Sequence, residues 1–229
     1  MQTLLLFDID GTLILSGRAG LRALNHAFEH VTGTADAFRG ISPAGRTDGF
    51  LLEEAARRAG LDFTAELRCA IESLYYERLA HEIEKPGEGR KSVMPGVRPL
   101  LDSLAGRPDV VLALLTGNFR RSARIKLEYF DLWAPFPFGA FADDATDRNA
   151  LVPVALDRAR EAGHAPQADR VIVIGDTPLD VECARAGGVR ALGVATGSHS
   201  VDALREAGAY AVFEDLGETE QVMEALGLG

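Results

Sequence analysis

Short, unbroken apolar runs recur along this chain, and helical patterns separate them. The runs are continuous and do not alternate between apolar and polar residues, which is typical of strands in a parallel sheet covered on both faces. Repetition of strand, helix and strand predicts an α/β fold with a doubly wound, mainly parallel sheet. The predicted strands are residues 3–7, 110–115, 138–142, 171–174 and 191–194, and the predicted helices between them are residues 119–129, 151–162, 179–186 and 201–207.

One long interval breaks this alternation. Residues 16–89 contain no convincing strand, and apolar residues recur there at helical spacing, as at Leu21, Leu24, Phe28 and Val31. We therefore predict an all-α cap domain at 16–89, inserted into a sheet-containing core domain formed by residues 1–15 and 90–229. The polar stretch 85–89 contains proline and two glycines, which suits a hinge between the two.

The composition limits the partners that the chain can have. Its 229 residues are 47% hydrophobic and 25% charged, which is ordinary for a globular protein, and the formal net charge is -10. Such a charge disfavours nucleic acid and anionic lipid, so we expect no nucleic-acid or membrane partner. Without a leader or an apolar run of membrane length, the sequence predicts a cytoplasmic protein, and it does not decide between a monomer and a homodimer. Cys69 and Cys183 are predicted to be free, buried thiols in a reducing compartment, with a disulfide between them as the alternative.

Two carboxylates leave the end of the first predicted strand. Asp8 and Asp10 enter a turn at Gly11 and Thr12, and residues two apart in a strand point the same way. One carboxylate can therefore attack phosphorus as a nucleophile while the other moves protons. The alternative is that the two aspartates only shape a turn.

Two later strands also end in polar turns. Thr116, Gly117 and Asn118 follow the second strand, where a hydroxyl and backbone amides can donate to phosphate oxygens. Asp176 follows the fourth strand and Asp180 lies about one helical turn later, and carboxylates are the ligands that Mg²⁺ prefers. Each turn alone could be a simple helix cap. Because the carboxyl ends of parallel strands meet at one crevice, the turns together predict a metal and phosphate site.

A phosphate site beside several aspartates also needs a positive side chain. Arg148, between the third strand and its helix, is the first choice. Lys126 is the second, but its helix carries several basic residues, so we expect it on a solvated face. In the predicted cap, Arg46 could bind a carboxylate or phosphate of the substrate, or it could simply cap a helix or pair with Asp48.

Taken in order, the segments DIDGT, TGN and GDTPLD resemble the haloacid dehalogenase (HAD) superfamily, in its phosphoglycolate phosphatase-like branch with a helical cap. The similarity extends over essentially the whole chain. The resemblance implies a Rossmann-like core and Mg²⁺ as the cofactor. The family commonly has a lysine where this chain has Arg148, which offers a bidentate fork and a fixed charge instead of a compact ammonium.

The resemblance also implies a role for each site residue. Asp8 would be the nucleophile and Asp10 the acid/base, and Thr116 and Arg148 would complete the catalytic set. The implied metal ligands are Asp8, Asp10 through its backbone carbonyl, Asp176 and Asp180. The implied substrate-binding residues are Gly11, Thr12, Thr116, Gly117, Asn118 and Arg46.

The predicted function is a Mg²⁺-dependent phosphatase that hydrolyses a small soluble phosphomonoester, phosphoglycolate or a similar compound, through an aspartyl-phosphate. A phosphomutase of the β-phosphoglucomutase type would use the same residues. A haloacid dehalogenase would need Asp8 but neither an acid/base at Asp10 nor a metal. A non-catalytic binding or regulatory protein could keep the fold without using these acids.

Overall fold

A parallel sheet of six strands forms the centre of the computed structural model, which describes residues 2–229. The strands in that range are β1 (Thr3–Phe7), β2 (Ile14–Ser16), β3 (Lys91–Val93), β4 (Val110–Leu115), β5 (Gly139–Ala140), β6 (Val171–Gly175), β7 (Arg190–Val194) and β8 (Ala211–Phe213). The sheet runs in the order β5-β4-β1-β6-β7-β8, and each neighbouring pair is parallel. This confirms the predicted doubly wound α/β fold.

Helices cover both faces of this sheet. The α-helices in residues 2–229 are α1 (Ala19–Thr32), α2 (Asp48–Arg58), α3 (Ala65–Glu82), α4 (Val97–Leu104), α5 (Arg120–Tyr129), α6 (Leu151–Glu161), α7 (Pro178–Ala186), α8 (Val201–Glu206) and α9 (Thr219–Ala225). Alternate residues of β1 belong to two different apolar layers: Leu5 and Phe7 pack with α4, α5 and α9, whereas Leu4 and Leu6 pack with α6, α7 and α8. No helix in residues 2–229 combines the length and apolar character needed to cross a membrane.

The sequence patterns missed the shortest elements. Strands β1 and β4 have the predicted bounds, but β5 is only two residues long, and β8 and the pair β2–β3 were not predicted. Two- and three-residue strands are too short to show periodicity, so only pairing with a neighbour defines them. The helices α4 and α9 were also outside the prediction.

The long interval folds as helices, as its spacing predicted. Thr47 and Thr64 cap α2 and α3 by accepting hydrogen bonds from the amides of Phe50 and Leu67. Helices α1, α2 and α3 form an apolar cluster that is separate from the two clusters flanking the sheet. Phe119 and Ala142, which follow β4 and β5 in the chain, also belong to this cluster. The antiparallel pair β2–β3 joins the chain where it enters and leaves these helices. The division into a cap at 16–89 and a core at 1–15 and 90–229 stays a prediction that this arrangement favours.

The prediction for the cysteines was half wrong. Cys183 is free and buried against the sheet, but Cys69 lies on the exposed side of α3. Helix α3 is weakly amphipathic because polar and apolar residues alternate irregularly along it, so the periodicity did not define which side faces outward.

Candidate active site

The predicted site residues gather at the carboxyl ends of β1, β4 and β6. The amide of Asp8 donates to the carbonyl of Ile174 over 2.9 Å, which holds the end of β1 beside the end of β6. A cavity of about 740 Å³ opens there and extends to α1, α2 and α3. Of the predicted site residues, those that line it are Asp8, Asp10, Gly11, Arg46, Thr116, Gly117, Asn118, Arg148 and Asp176.

Three buried carboxylates form an acidic cluster at the base of this cavity. One oxygen from each of Asp8, Asp176 and Asp180 lies within 4.8 Å of the other two. Asp176 sits against backbone on two sides, because a Cβ added at Gly11 or at Gly197 would lie 2.4 or 1.7 Å from its Oδ2. These two glycines therefore leave the space that the Asp176 carboxylate occupies.

Arg148 is the positive partner of this acidic cluster. Its guanidinium is 7% exposed and donates to Asp8 Oδ1 over 3.0 Å and to Asp180 Oδ1. The other oxygen of Asp180 accepts from the amide and hydroxyl of Thr177, in the capping box of α7. Asp180 therefore holds Arg148 in place, while Asp8 and Asp176 keep oxygens that face the cavity.

Two carboxylates of the cluster, Asp8 and Asp176, have raised pKa values. Burial raises the pKa of Asp8 to about 7, where the carboxylates of Asp180 and Asp10 add to the rise and Arg148 opposes it. Burial likewise raises the pKa of Asp176 to about 9, with further contributions from Asp180 and Asp8. One arginine does not offset this concentration of negative charge, so the site favours a bound cation.

Lys126 was predicted to face solvent, and this was wrong. Its side chain is 6% exposed, and its ammonium donates to Asp10 Oδ2 and to Asn118 Oδ1, each over 2.6 Å. Ser122, Ala123 and Leu127 are buried on the same face of α5, whereas the arginines of that helix lie on its other faces. The spacing of these buried neighbours was the signal that could have placed Lys126 inward.

The side chain of Asn118, in the polar turn after β4, connects Asp10 to Thr116. Asn118 Nδ2 donates to Asp10 Oδ2 and to Thr116 Oγ1, each over 2.8 Å. The side chain of Asn118 is thus fully engaged in orienting its neighbours. The buried hydroxyl of Thr116 accepts from Asn118 Nδ2 and also from the Asn118 backbone amide over 3.3 Å, which leaves its own proton for a further acceptor.

Three predicted substrate-binding residues, Gly11, Thr12 and Arg46, also make contacts within the protein. The amides of Gly11 and Thr12 donate to the carbonyls of Ile14 and Ile9, and the Thr12 hydroxyl donates to Asp176 Oδ1 over 3.4 Å, so both residues shape the turn. Arg46 lines the cavity, and its guanidinium carbon lies 4.3 Å from the centre of the Phe50 ring. In residues 2–229 it forms no ion pair with Asp48.

Asp48 is a buried contact between the inserted helices and the sheet domain. It is the first residue of α2, yet its Oδ2 accepts from the Phe119 amide over 3.0 Å and from the Ser122 hydroxyl over 3.2 Å. It therefore caps α5, whose own N-cap residue Phe119 supplies no side-chain bond. The Asp48 amide donates back to the Gly117 carbonyl over 2.6 Å. No local sequence pattern could reveal a cap that comes from 71 positions away.

Replacing Asp48 with Asn is expected to stabilise the protein at alkaline pH. Burial raises the pKa of Asp48 to about 6, above its ordinary value of 3.8, so the charged form costs folding free energy that is absent at low pH. An amide can accept the same hydrogen bonds without a charge. The gain in unfolding free energy should approach about 3 kcal/mol above pH 7 and shrink as the pH falls through 6 towards 4.

Urea unfolding of wild-type and Asp48→Asn protein at a series of pH values measures this gain. Asp202→Asn, which changes an exposed aspartate on α8, serves as the matched control and should show no such dependence. A gain for Asp48→Asn that stays constant from pH 4 to pH 8, or a loss at pH 8, would contradict the expectation.

Positive side chains surround the cavity although the chain as a whole is acidic. Lys126 and Arg148 lie at its base, and exposed arginines from the inserted helices and their connections line its outer part: Arg18, Arg39, Arg46 and Arg90. Apolar side chains of α1 and α2 and of the loop between them lie among these arginines. The outer part of the cavity, where Glu88 is the acidic residue beside these four arginines, therefore attracts anions, and the cavity has room for more than a phosphate group.

Comparisons with known proteins agree with this geometry. The model of the haloacid dehalogenase-like hydrolase family matches residues 5–185. The chain is similar to the phosphoglycolate phosphatase of Rhodospirillum rubrum, with 31% identity over 94% of this chain and 88% of that protein. It is also similar to the tyrosine-protein kinase PtkA of Mycobacterium tuberculosis, with 28% identity over 98% of this chain and 72% of that protein. Among solved structures, a hydrolase from Pseudomonas syringae shares the fold, with a TM-score of 0.72 and 23% identity over 98% of this chain and 99% of that one.

Proposed function

The chain belongs to the haloacid dehalogenase-like hydrolase family, in its phosphoglycolate phosphatase-like branch, and we propose that it is a Mg²⁺-dependent phosphatase. The proposed substrate is a small soluble phosphomonoester, phosphoglycolate or a similar compound, and the proposed intermediate is an aspartyl-phosphate. One observation carries the proposal: two carboxylates from one turn have separate positive partners, Arg148 for Asp8 and Lys126 for Asp10. Such an arrangement supports different tasks for the two acids.

The acidic cluster suits Mg²⁺ chemically. Carboxylates are hard oxygen ligands, and Asp8 and Asp176 both keep an oxygen that is not engaged by another residue in 2–229. In this proposal those two residues hold the metal, with the Asp10 backbone carbonyl as a further ligand. Asp180 supports the metal site by holding Arg148, or by binding a coordinated water. When bound, Mg²⁺ would offset the charge of the carboxylates and polarise the phosphoryl oxygens.

The protein groups then divide the reaction into two steps. In the first, Asp8 attacks phosphorus, the bond to the ester oxygen breaks, and Asp10 gives a proton to the departing alcohol. In the second, Asp10 takes a proton from water, which attacks the aspartyl-phosphate, releases phosphate and restores Asp8. The Thr116 hydroxyl and the Gly117 amide hold the phosphoryl oxygens, and Arg148 favours the ionised form of Asp8.

The inserted helices act as a cap in this proposal. Arg148 donates to the Gly45 carbonyl over 3.1 Å, and the Thr47 hydroxyl donates to the Thr146 carbonyl over 2.6 Å. Together with Asp48, these contacts connect residues 16–89 to the core at the rim of the active-site cavity. A cap held there excludes water from the reacting groups and contacts the leaving alcohol.

Other fates of the phosphoryl group define the alternatives. A phosphomutase would pass it from Asp8 to a sugar phosphate, and the kinase named among the relatives is described as acting on tyrosine. A dehalogenase would not need the acid/base position that Asp10 occupies beside Lys126. Following labelled phosphate from the enzyme to water, to a sugar phosphate or to a tyrosine peptide distinguishes a phosphatase, a phosphomutase and a tyrosine kinase.

Removal of the metal tests the proposal directly. Protein treated with a chelator and then dialysed is expected to lose hydrolysis of an aryl phosphate, and added Mg²⁺ should restore it. Ca²⁺ should restore much less, because it is larger and adopts a looser coordination. Phosphate release that continues in excess chelator would contradict the proposal, and turnover of a haloacid under the same conditions would favour the dehalogenase.

A further inference from the structure

A small polar space lies beside Asp10, and neither of the two proposed steps of hydrolysis uses it. Gly20 of α1, Tyr75 of α3 and Lys126 of α5 form it, and all three line the active-site cavity. A Cβ added at Gly20 would lie 3.3 Å from both Cε and Nζ of Lys126 and 3.6 Å from the Tyr75 hydroxyl. We call this space the Gly20 niche. It stays open because residue 20 has no side chain.

The Tyr75 hydroxyl in this niche is buried without a partner. The residue has no exposed surface, and its hydroxyl forms no hydrogen bond of normal geometry with any residue in 2–229, although Ser122 and Asp48 are near. A buried hydroxyl without a partner is unfavourable for folding, so such a group in a cavity points to a ligand. Tyr76, the next residue, shows the contrast, since its hydroxyl donates to Glu72 over 3.2 Å.

Lys126 contributes a second donor to the same space. Two of its three ammonium protons go to Asp10 and Asn118, which leaves one for a further acceptor. A lysine ammonium has no acceptor atom, and the Tyr75 hydroxyl lacks an acceptor for its proton. The Gly20 niche therefore selects an oxygen that accepts hydrogen bonds, which either a carboxylate or a hydroxyl can supply.

We propose that the Gly20 niche binds an acceptor oxygen of the leaving group, on the carbon next to the one that carries the ester. This rests on the proposed function, in which Asp10 protonates the ester oxygen. Lys126 Nζ lies 2.6 Å from Asp10 Oδ2, so an oxygen bound by the same ammonium is only a few bonds from the ester. The preferred substrate class is a phosphomonoester with a neighbouring carboxylate or hydroxyl.

Three phosphates with two carbons each separate these possibilities. They are ethyl phosphate, which has no second oxygen, 2-hydroxyethyl phosphate and 2-phosphoglycolate. Wild-type protein with Mg²⁺ is expected to hydrolyse the last two with kcat/KM at least about tenfold above that of ethyl phosphate. A preference for 2-phosphoglycolate identifies a carboxylate as the bound group, and a preference for 2-hydroxyethyl phosphate identifies a hydroxyl.

Tyr75→Phe removes only the hydroxyl, and we expect it to lower this ratio about tenfold. Tyr76→Phe is the matched control on the same helix, outside the cavity, and should leave the ratio unchanged. Gly20→Ala is a second variant that fills the niche. Because the added methyl group would lie 3.3 Å from Cε and Nζ of Lys126, we expect the ratio to fall, and the melting temperature of the variant shows that it is folded.

Three results would overturn the inference. The first is no preference among the three phosphates in wild-type protein that does hydrolyse an aryl phosphate. The second is an equal loss on all three in Tyr75→Phe, and the third is an unchanged ratio in folded Gly20→Ala. Failure of the wild type to hydrolyse even the aryl phosphate would instead reject the proposed function, and the inference with it.

Discussion

Asp8→Asn is expected to lower Mg²⁺-dependent hydrolysis of an aryl phosphate by at least about 10³-fold, because an amide cannot attack phosphorus. The substitution keeps the shape of the side chain, and its oxygen can still accept from Arg148, as Asp8 Oδ1 does over 3.0 Å. The variant should also form no phosphoenzyme. Rapid mixing with the aryl phosphate therefore should give no burst of phenolate, and acid-quenched protein should carry no label from radioactive phosphate.

The control for this experiment is Asp157→Asn, which changes an aspartate on the exposed side of α6. It should hydrolyse the aryl phosphate at the wild-type rate. Asp8→Asn protein that keeps its melting temperature and still gives a burst, or more than a tenth of the wild-type rate, would show that Asp8 is not the nucleophile. The non-catalytic alternative is excluded if wild-type protein shows the metal-dependent burst and the variant loses it.

Asp10→Asn is expected to slow formation of the aspartyl-phosphate only when the leaving group needs a proton, and to slow hydrolysis of the aspartyl-phosphate with every substrate. A positioned acid/base typically contributes about 10²- to 10⁴-fold, and an alkyl phosphate should lose that much because its alcohol must be protonated. An aryl phosphate with an acidic phenol needs no proton to leave. With that substrate the variant should release about one equivalent of phenolate per enzyme quickly, and then turn over slowly because water is no longer activated.

Stopped-flow absorbance of the phenolate measures both phases. The variant should stay folded, since an amide oxygen at position 10 can still accept from Lys126 and Asn118, which contact Asp10 Oδ2 over 2.6 and 2.8 Å. An equal loss on alkyl and aryl phosphates with no burst would assign Asp10 to binding or metal coordination alone. A wild-type rate would remove it from the mechanism.

The sequence predicted the fold because each buried strand is a local, unbroken apolar run. The bounds of β1 and β4 could be read from five and six consecutive residues, and the polar turns that follow them stand at fixed positions after the run. Parallel pairing then brings these turns to one edge of the sheet. Asp8, Thr116 and Asp176 could therefore be placed in one site without knowledge of any contact.

The sequence-based prediction for Lys126 was wrong because it relied on the charge of the side chain and not on its position along α5. A lysine on a basic helix is usually solvated, but position 126 shares the face of α5 that carries the buried residues Ser122, Ala123 and Leu127. On that face Lys126 packs beside Gly20. Asp48 was considered only as a partner of Arg46. Its bonds to Phe119 and Ser122 join residues that are more than 70 positions apart.

The sequence alone determined where the main strands lie, which turns end them and which acidic residues those turns carry. These features depend on residues close together in the chain, so they can be recognised from a periodicity or a short motif. The tertiary structure alone decided which basic residue pairs with which acid, namely Arg148 with Asp8 and Lys126 with Asp10. It also decided where the Gly20 niche lies. Those features depend on how helices that are distant in the chain pack against one another, and packing of that kind has no local signature.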